Sequence, residues 1–269
     1  MLAVLRYGGL MKHLRTWLLG MVGCLIAPIT FAQQFSVAVF SKTAGWHHES
    51  INEGVTGIRE LGRLHHFEVF WTEDPNRLFK DEELSKHAAV VFLLTTGDAL
   101  NDEQQATFER YIRRGGGFVG VHSAADTEYQ WPWYTKMVGH MFKRHPAIQT
   151  AMVNVESRDF PGMERFAQRF LATEEWYEFD ASRSPAIKYL LSVDESSYQP
   201  SEQRRAEAKT VPFHPISWYQ PYDGGRAFYT ALGHLPATYS DPFFMHHLYG
   251  GIYWAATGAG VKPATPARR

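Results

Sequence analysis

Arg113-Arg114-Gly115-Gly116-Gly117-Phe118-Val119-Gly120-Val121-His122-Ser123-Ala124-Ala125 is the stretch that decides the fold. It reads as a helix end, a glycine turn, a buried strand and a sharp polar exit. Gly115 to Gly117 can take positive φ after a helix C-terminus without Cβ strain. Phe118 to Val121 form an apolar run suited to a strand covered on both faces. His122 then falls at the carboxyl end of that strand, where open α/β sheets place their ligands.

Upstream, Phe35–Phe40 reads as a first strand. Ser50 and Glu53 follow as a capping-box pair, and Ile51, Val55, Ile58 and Leu61 then repeat at helical spacing. Phe67–Trp71 reads as a second strand. Ala88–Leu94 is a continuous apolar run of the central parallel type. Asn101 and Gln104 cap a helix that leads into the glycine turn. This alternation predicts right-handed βαβ units in a doubly wound, mostly parallel sheet with helices on both faces. Downstream the rhythm changes. Pro132 sets the first turn of a short helix. Strands are expected at Ile148–Val155, Tyr189–Val193, Ile216–Tyr219 and Arg226–Leu232, with a last helix over Phe243–Ala256. Phe160–Thr210 is otherwise expected to be irregular, so the C-terminal half is an elaboration of the α/β core.

The chain has 269 residues and a net charge of −1, which gives no basic stripe for nucleic acid. From Met11, the positive Lys12 and Arg15 precede the apolar run Trp17–Ile29, and Thr30-Phe31-Ala32 supplies a small-x-small cleavage site. Residues 1–32 therefore read as a secretory leader, with 1–10 as an upstream extension. The run is short for a membrane span. Export to a periplasm follows as the expected location, with no membrane span in the mature protein. The only cysteine, Cys24, lies inside the leader. Ordinary cleavage ranks ahead of lipidation there, because Leu25–Ile29 continues apolar. The mature chain would then hold no thiol, which removes disulfides, cysteine nucleophiles and thiolate metal sites. One domain over 33–260 and a frayed tail over 261–269 complete the organisation.

Among the 13 histidines, several stand at turns after apolar runs or beside Gly or Pro. They are His47 and His48, His122, His145, His214 and His234. In a parallel sheet, loops after strands share one edge, so these can converge, and Glu174 and Glu175 can join them. No H-E-x-x-H or His-x-His motif is present, yet His plus carboxylate suits zinc or another divalent transition metal. The stretch around His122 has the look of a nucleophile elbow with histidine at its apex. Ser123 falls one position late for G-x-S-x-G, which disfavours serine hydrolase chemistry. Histidine as general acid/base is the sounder chemistry. Asp126 reads either as a hydroxyl ligand or as an N-cap. Trp46, Trp131, Trp133, Trp176, Tyr177 and Trp218 lie near these polar segments, a pairing that suits a small carbohydrate through stacked faces and hydrogen-bonded rims.

Taken in order, His47-His48-Glu49-Ser50-Ile51, Gly115–Ala124, Gly139-His140-Met141-Phe142, His145-Pro146 and Glu174–Phe179 resemble the trehalose-utilisation ThuA-like family. His214–Trp218, Gly224–His234 and Gly250–Ala255 extend the resemblance, which covers about Phe35 to Thr257. It implies a flavodoxin-like fold related to class I glutamine amidotransferases. Those enzymes carry cysteine where His122 stands, so glutaminase activity does not carry over. The resemblance implies sugar metabolism, notably of trehalose-like disaccharides and their 3-keto derivatives. On that basis the expected activity is hydrolysis, elimination or isomerisation of a glycoside or 3-keto-sugar. His122 and Glu175 are the expected catalytic pair. Trp46, His48, Asp126, His145, Trp176, Tyr177, His214, Trp218 and His234 would bind substrate, and of these His48, His145, His214 and His234 would shape the site or hold a metal. A non-catalytic periplasmic sugar-binding protein is the alternative.

Overall fold

The computed structural model describes residues 33–207 and 213–261. The leader, Cys24 and residues 262–269 of the tail lie outside these. The first half follows the βα rhythm: β1 (Ser36–Phe40), α1 (Ile51–His65), β2 (Glu68–Thr72), α2 (Pro75–Leu78), α3 (Asp81–Leu84), β3 (Ala89–Leu93), α4 (Asp102–Arg113) and β4 (Gly117–Val121). Every residue of β3 and β4 is buried, as their uninterrupted apolar runs require. Asn101 and Gln104 complete a reciprocal capping box at the start of α4. Ser50 does not cap α1. Its hydroxyl donates instead to the Gly233 carbonyl at 3.2 Å, so a distant loop takes the group that local pattern assigned to the helix.

The second half comprises α5 (Pro132–Val138), β5 (Phe142–Arg144), β6 (Gln149–Val155), β7 (Arg169–Glu174), β8 (Glu178–Phe179), β9 (Lys188–Asp194), α6 (Glu202–Glu207), β10 (Pro215–Tyr222), β11 (Gly225–Thr230) and α7 (Pro242–Thr257). Strands β7 and β8 and helix α6 fall inside the stretch expected to be irregular. The sequence of β7 alternates weakly, and Leu171 on its outer face is 67% exposed, so it carries the faint signal of an edge strand.

One nine-stranded sheet runs β2-β1-β3-β4-β11-β10-β9-β6-β7. The members from β2 to β11 are parallel. Beyond β11 each strand is antiparallel to its neighbour. This is an α/β fold with a mixed sheet, parallel where the core is thickest. The chain reverses direction of travel between β1 and β3, with β4 and β11 beyond, so the loops after β1, β4 and β11 share one edge. Phe118 of β4 packs against Phe92, Phe108 and Tyr134, with α4 and α5 on that side. Gly117 lies against α7, where a Cβ would meet the Ala255 carbonyl oxygen at 2.2 Å. Among the described residues, no helix is long and apolar enough to cross a membrane.

One buried titratable group lies apart from the candidate site. Ser217 donates to the Tyr229 carbonyl, so its contact with His247 Nε2 at 2.9 Å has the ring as donor. His247 Nδ1 is left without a partner. Burial, then neighbouring His246, pushes this imidazole down to about 3. The unfolded chain takes up the proton near pH 6.5, so the neutral ring's contribution is complete above that value and is lost as pH falls towards 3. His247→Leu is expected to flatten this acid limb, gaining about 2 kcal/mol on wild type between pH 7.5 and 5. Urea unfolding at the two pH values measures it, and parallel pH profiles would refute it.

Candidate active site

The elbow expected from the sequence is present. β4 ends at Val121, and the chain turns at once into a 3-10 turn over His122–Asp126. His122 itself has φ +49°, a left-handed conformation that costs a non-glycine residue and that clusters at functional turns. Contacts from β11 and beyond hold it there. Tyr229 donates to the His122 carbonyl at 2.7 Å, and His122 Nδ1 lies 2.8 Å from the Ala231 carbonyl. A carbonyl only accepts, so Nδ1 carries the proton and Nε2 faces the site. The Tyr177 ring lies over the imidazole, 4.0 Å between centroids.

Three further side chains meet Nε2 from separate parts of the chain. His234, after β11, brings Nδ1 to 3.1 Å from it. Glu175, after β7, brings Oε2 to 3.3 Å from His122 Nε2 and 3.2 Å from His234 Nδ1. His48, after β1, stands edge-on to both other rings, at 5.0 Å from His122 and 5.3 Å from His234. One ligand atom from each of these four residues lies within 4.8 Å of all the others. On the outer side, His145 Nδ1 approaches the second Glu175 oxygen at 3.1 Å. The opening to solvent is therefore at Glu175, His234 and His145, whose side chains are 10%, 18% and 42% exposed.

The charges follow from this packing. Burial, then the proximity of His122 and His234, lowers the His48 pKa to about 3, so its ring is neutral. Burial alone would raise the Glu175 carboxyl, but hydrogen bonds from His122 and His234 outweigh it and hold the group well below the usual carboxylate range. Burial pulls the His234 ring down while its bond to Glu175 more than compensates, and its pKa rises. The result is a carboxylate anion flanked by imidazoles, a set able to accept, hold and return a proton.

A second carboxylate fixes this set without joining it. Glu174 is buried, and its Oε1 accepts from Gly233 N and Thr238 Oγ1, both at 3.0 Å. Its Oε2 accepts from His234 N at 3.2 Å and Glu175 N at 3.3 Å. One side chain thus positions the backbone of two cluster members. Three of its four bonds span 59 to 64 residues of chain, and no local pattern announces them.

The family model described as trehalose utilisation, ThuA, matches residues 36–255. The chain belongs to the ThuA family. No curated protein sequence matches it. Among solved structures, it is similar to a protein described as ThuA-like from Bacteroides uniformis, with 21% identity, a TM-score of 0.69 and 85% and 95% of the two chains covered. A second, described in the same way, from Parabacteroides merdae, shares 19% identity with a TM-score of 0.65 over 86% and 93%. A β-galactosidase from Bacillus circulans shares the fold over 87% of this chain and 33% of its own, at 16% identity and a TM-score of 0.54.

Within this ThuA fold, the cluster unites His48, His122, Glu175 and His234, with His145 at its rim. Tyr177 joins as a buried backing for His122 rather than as an open stacking face. Asp126 lies just past the elbow and accepts from Tyr129 at 2.7 Å. Burial raises its carboxyl pKa. Trp46 is 72% exposed, two residues from His48. The remaining three expected residues are turned elsewhere. The Trp176 indole donates to the Gln149 carbonyl and the Trp218 indole to the Val138 carbonyl, both rings in the core. An aromatic next to polar loops was the only signal for either, and core packing supplies the same signal. His214 is buried between Glu195 at 2.7 Å and the Tyr177 carbonyl at 2.8 Å, and it borders a cavity of about 380 Å³ that shares no lining residue with the cluster. It stands at the start of β10, so the turn signal was sound and only the direction of the ring was not legible.

Proposed function

We propose that this ThuA-family chain is an exported enzyme of carbohydrate metabolism that converts a glycoside or 3-keto-sugar by hydrolysis, elimination or isomerisation. The convergence of three histidines and one carboxylate at the parallel-strand edge carries this reading. In a 3-keto-sugar the carbonyl acidifies the neighbouring C–H, so a histidine/carboxylate pair is sufficient to move the proton without a strong nucleophile. His122 is assigned as the central acid/base and Glu175 as its carboxylate counterpart. His145, the most exposed of the group, is assigned to the outer part of the sugar, and its 42% side-chain exposure supports that assignment.

The test is incubation of the mature protein with a panel of disaccharides and 3-keto-disaccharides, followed by mass spectrometry of products. Conversion of a keto-sugar or glycoside is the expected result. A sugar-dependent rise in melting temperature with no product from any panel member would replace this reading with that of a sugar-binding protein. Export is tested separately by N-terminal sequencing of the periplasmic fraction, where the first residue is expected to be Gln33.

A further inference from the structure

We infer that His122, His234, Glu175 and His48 form a binding site for one divalent transition-metal ion of the zinc class. Binding of the ion is independent of the sugar reading; only the use made of it rests on that reading.

The distances among the ligand atoms are the first ground. His122 Nε2, His234 Nδ1 and Glu175 Oε2 form a nearly equilateral triangle with edges of 3.1, 3.3 and 3.2 Å. Ligands about 2.0–2.1 Å from a tetrahedral zinc ion are themselves about 3.3 Å apart. An ion at such distances from these three atoms would stand roughly 0.9 Å off their plane, leaving room on one side for a fourth donor. A ring nitrogen of His48, within 4.8 Å of the other three, is the candidate for that donor and would move inward to reach the separation of about 3.3 Å that a tetrahedral ion sets.

Counting protons gives the second ground. His122 Nδ1 already donates to the Ala231 carbonyl, so a neutral His122 ring turns a lone pair, not a proton, towards the triangle. Glu175 Oε2 turns another towards it from 3.3 Å. With the His122 ring neutral, a single proton on His234 Nδ1 serves both acceptors, whereas a second proton on His122 Nε2 would meet Glu175 directly, as a cation between them would. One cation satisfies all three edges at once. The Nδ1–H to carbonyl bond is also how metal-ligating histidines are held in tautomer and orientation. Glu174, which grips the backbone of His234 and Glu175, supplies the same support to the other two ligands.

Donor chemistry narrows the ion. Magnesium and calcium ask for oxygen ligands, and this set offers three imidazoles and one carboxylate. Such a mixture suits zinc, with cobalt as its spectroscopic stand-in. With all four side chains engaged, an ion there would polarise a sugar oxygen or a water only as an added fifth ligand. It would also take the lone pairs of His122 and Glu175, whose task would then be to hold the ion in place of moving the proton themselves.

The test strips the full mature chain with chelator and titrates zinc by calorimetry, then cobalt by visible absorption. One ion per chain is expected, with the strong d–d bands of a low-coordinate cobalt site. His234→Gln and Glu175→Gln, each checked for folding by its melting curve, should weaken binding by on the order of 100-fold or more. His246→Ala, which removes a histidine that pairs with Glu164 and touches no member of the ligand set, should change it by less than about threefold. No uptake by the stripped wild-type chain, or uptake unaffected by both ligand variants, would overturn the site. Zinc binding without conversion of any panel sugar would leave the site standing and remove the sugar reading. Full conversion by the stripped chain would leave the sugar reading standing and overturn any part for the ion in it.

Discussion

His122→Ala is expected to reduce turnover of the responsive sugar by on the order of 10²–10⁴-fold or more, while the chain keeps its fold. The ring is fully buried and the Tyr177 ring packs on it, so its loss costs some packing. The turn would survive, because the bonds from Tyr229 and to the strand are made by backbone atoms that alanine retains. A second variant separates the ring from the backbone. At φ +49° alanine keeps the left-handed strain and glycine relieves it. His122→Gly is therefore expected to be as inactive as His122→Ala and up to about 1 kcal/mol more stable, the gain being limited by glycine's freedom in the unfolded chain. Steady-state kinetics beside urea unfolding of both variants decides the matter. Appreciable turnover in either one removes His122 from the chemistry, and a glycine variant less stable than the alanine one removes the strained elbow.

That elbow was legible in sequence because its signals are local. A helix end, three glycines and a run of buried apolar residues follow one another without interruption, and Gly115 at φ +96° and the fully buried β4 show the same rules at work. The histidines at strand ends were legible for a related reason. Parallel topology brings the ends of β1, β4 and β11 to one edge, so His48, His122 and His234 meet there once the topology is right. What stays hidden is the direction in which a loop side chain turns. His214 occupies an equivalent position and points to Glu195. Trp176 and Tyr177 are adjacent, yet one feeds the core near Gln149 and the other backs His122. Ser50 has the spacing of a cap and bonds instead to Gly233, 183 residues away. Each outcome depends on long-range contacts that no window of sequence contains.

Glu174→Gln is expected to be the most damaging isosteric change outside the cluster itself. Each oxygen of the native carboxylate accepts two donors, one pair from Gly233 and Thr238, the other from Glu175 and His234. Glutamine keeps one accepting oxygen and turns an NH₂ towards the other pair, leaving buried donors facing a donor. Two unmet buried groups cost about 2–4 kcal/mol, a fall in melting temperature of roughly 5–15 °C for a chain of this size. Stability alone would not identify a positioning role, so a matched control is needed. Glu128 is equally buried, accepting from the backbone of Ala99 at 2.8 Å and Leu100 at 2.7 Å and from the Gln105 side chain, and it holds no member of the cluster. Glu128→Gln should lose comparable stability and keep turnover measured well below its melting temperature. Glu174→Gln, assayed at the same distance below its own transition, should lose turnover by on the order of 10²-fold, because displacement by about 1 Å of the groups that meet the substrate is enough to do so. Equal retention of turnover in the two variants would make Glu174 a buried structural carboxylate like any other. Selective loss in Glu174→Gln would make the adjacent glutamates a pair with divided tasks, Glu175 meeting the imidazoles and Glu174 setting where they meet.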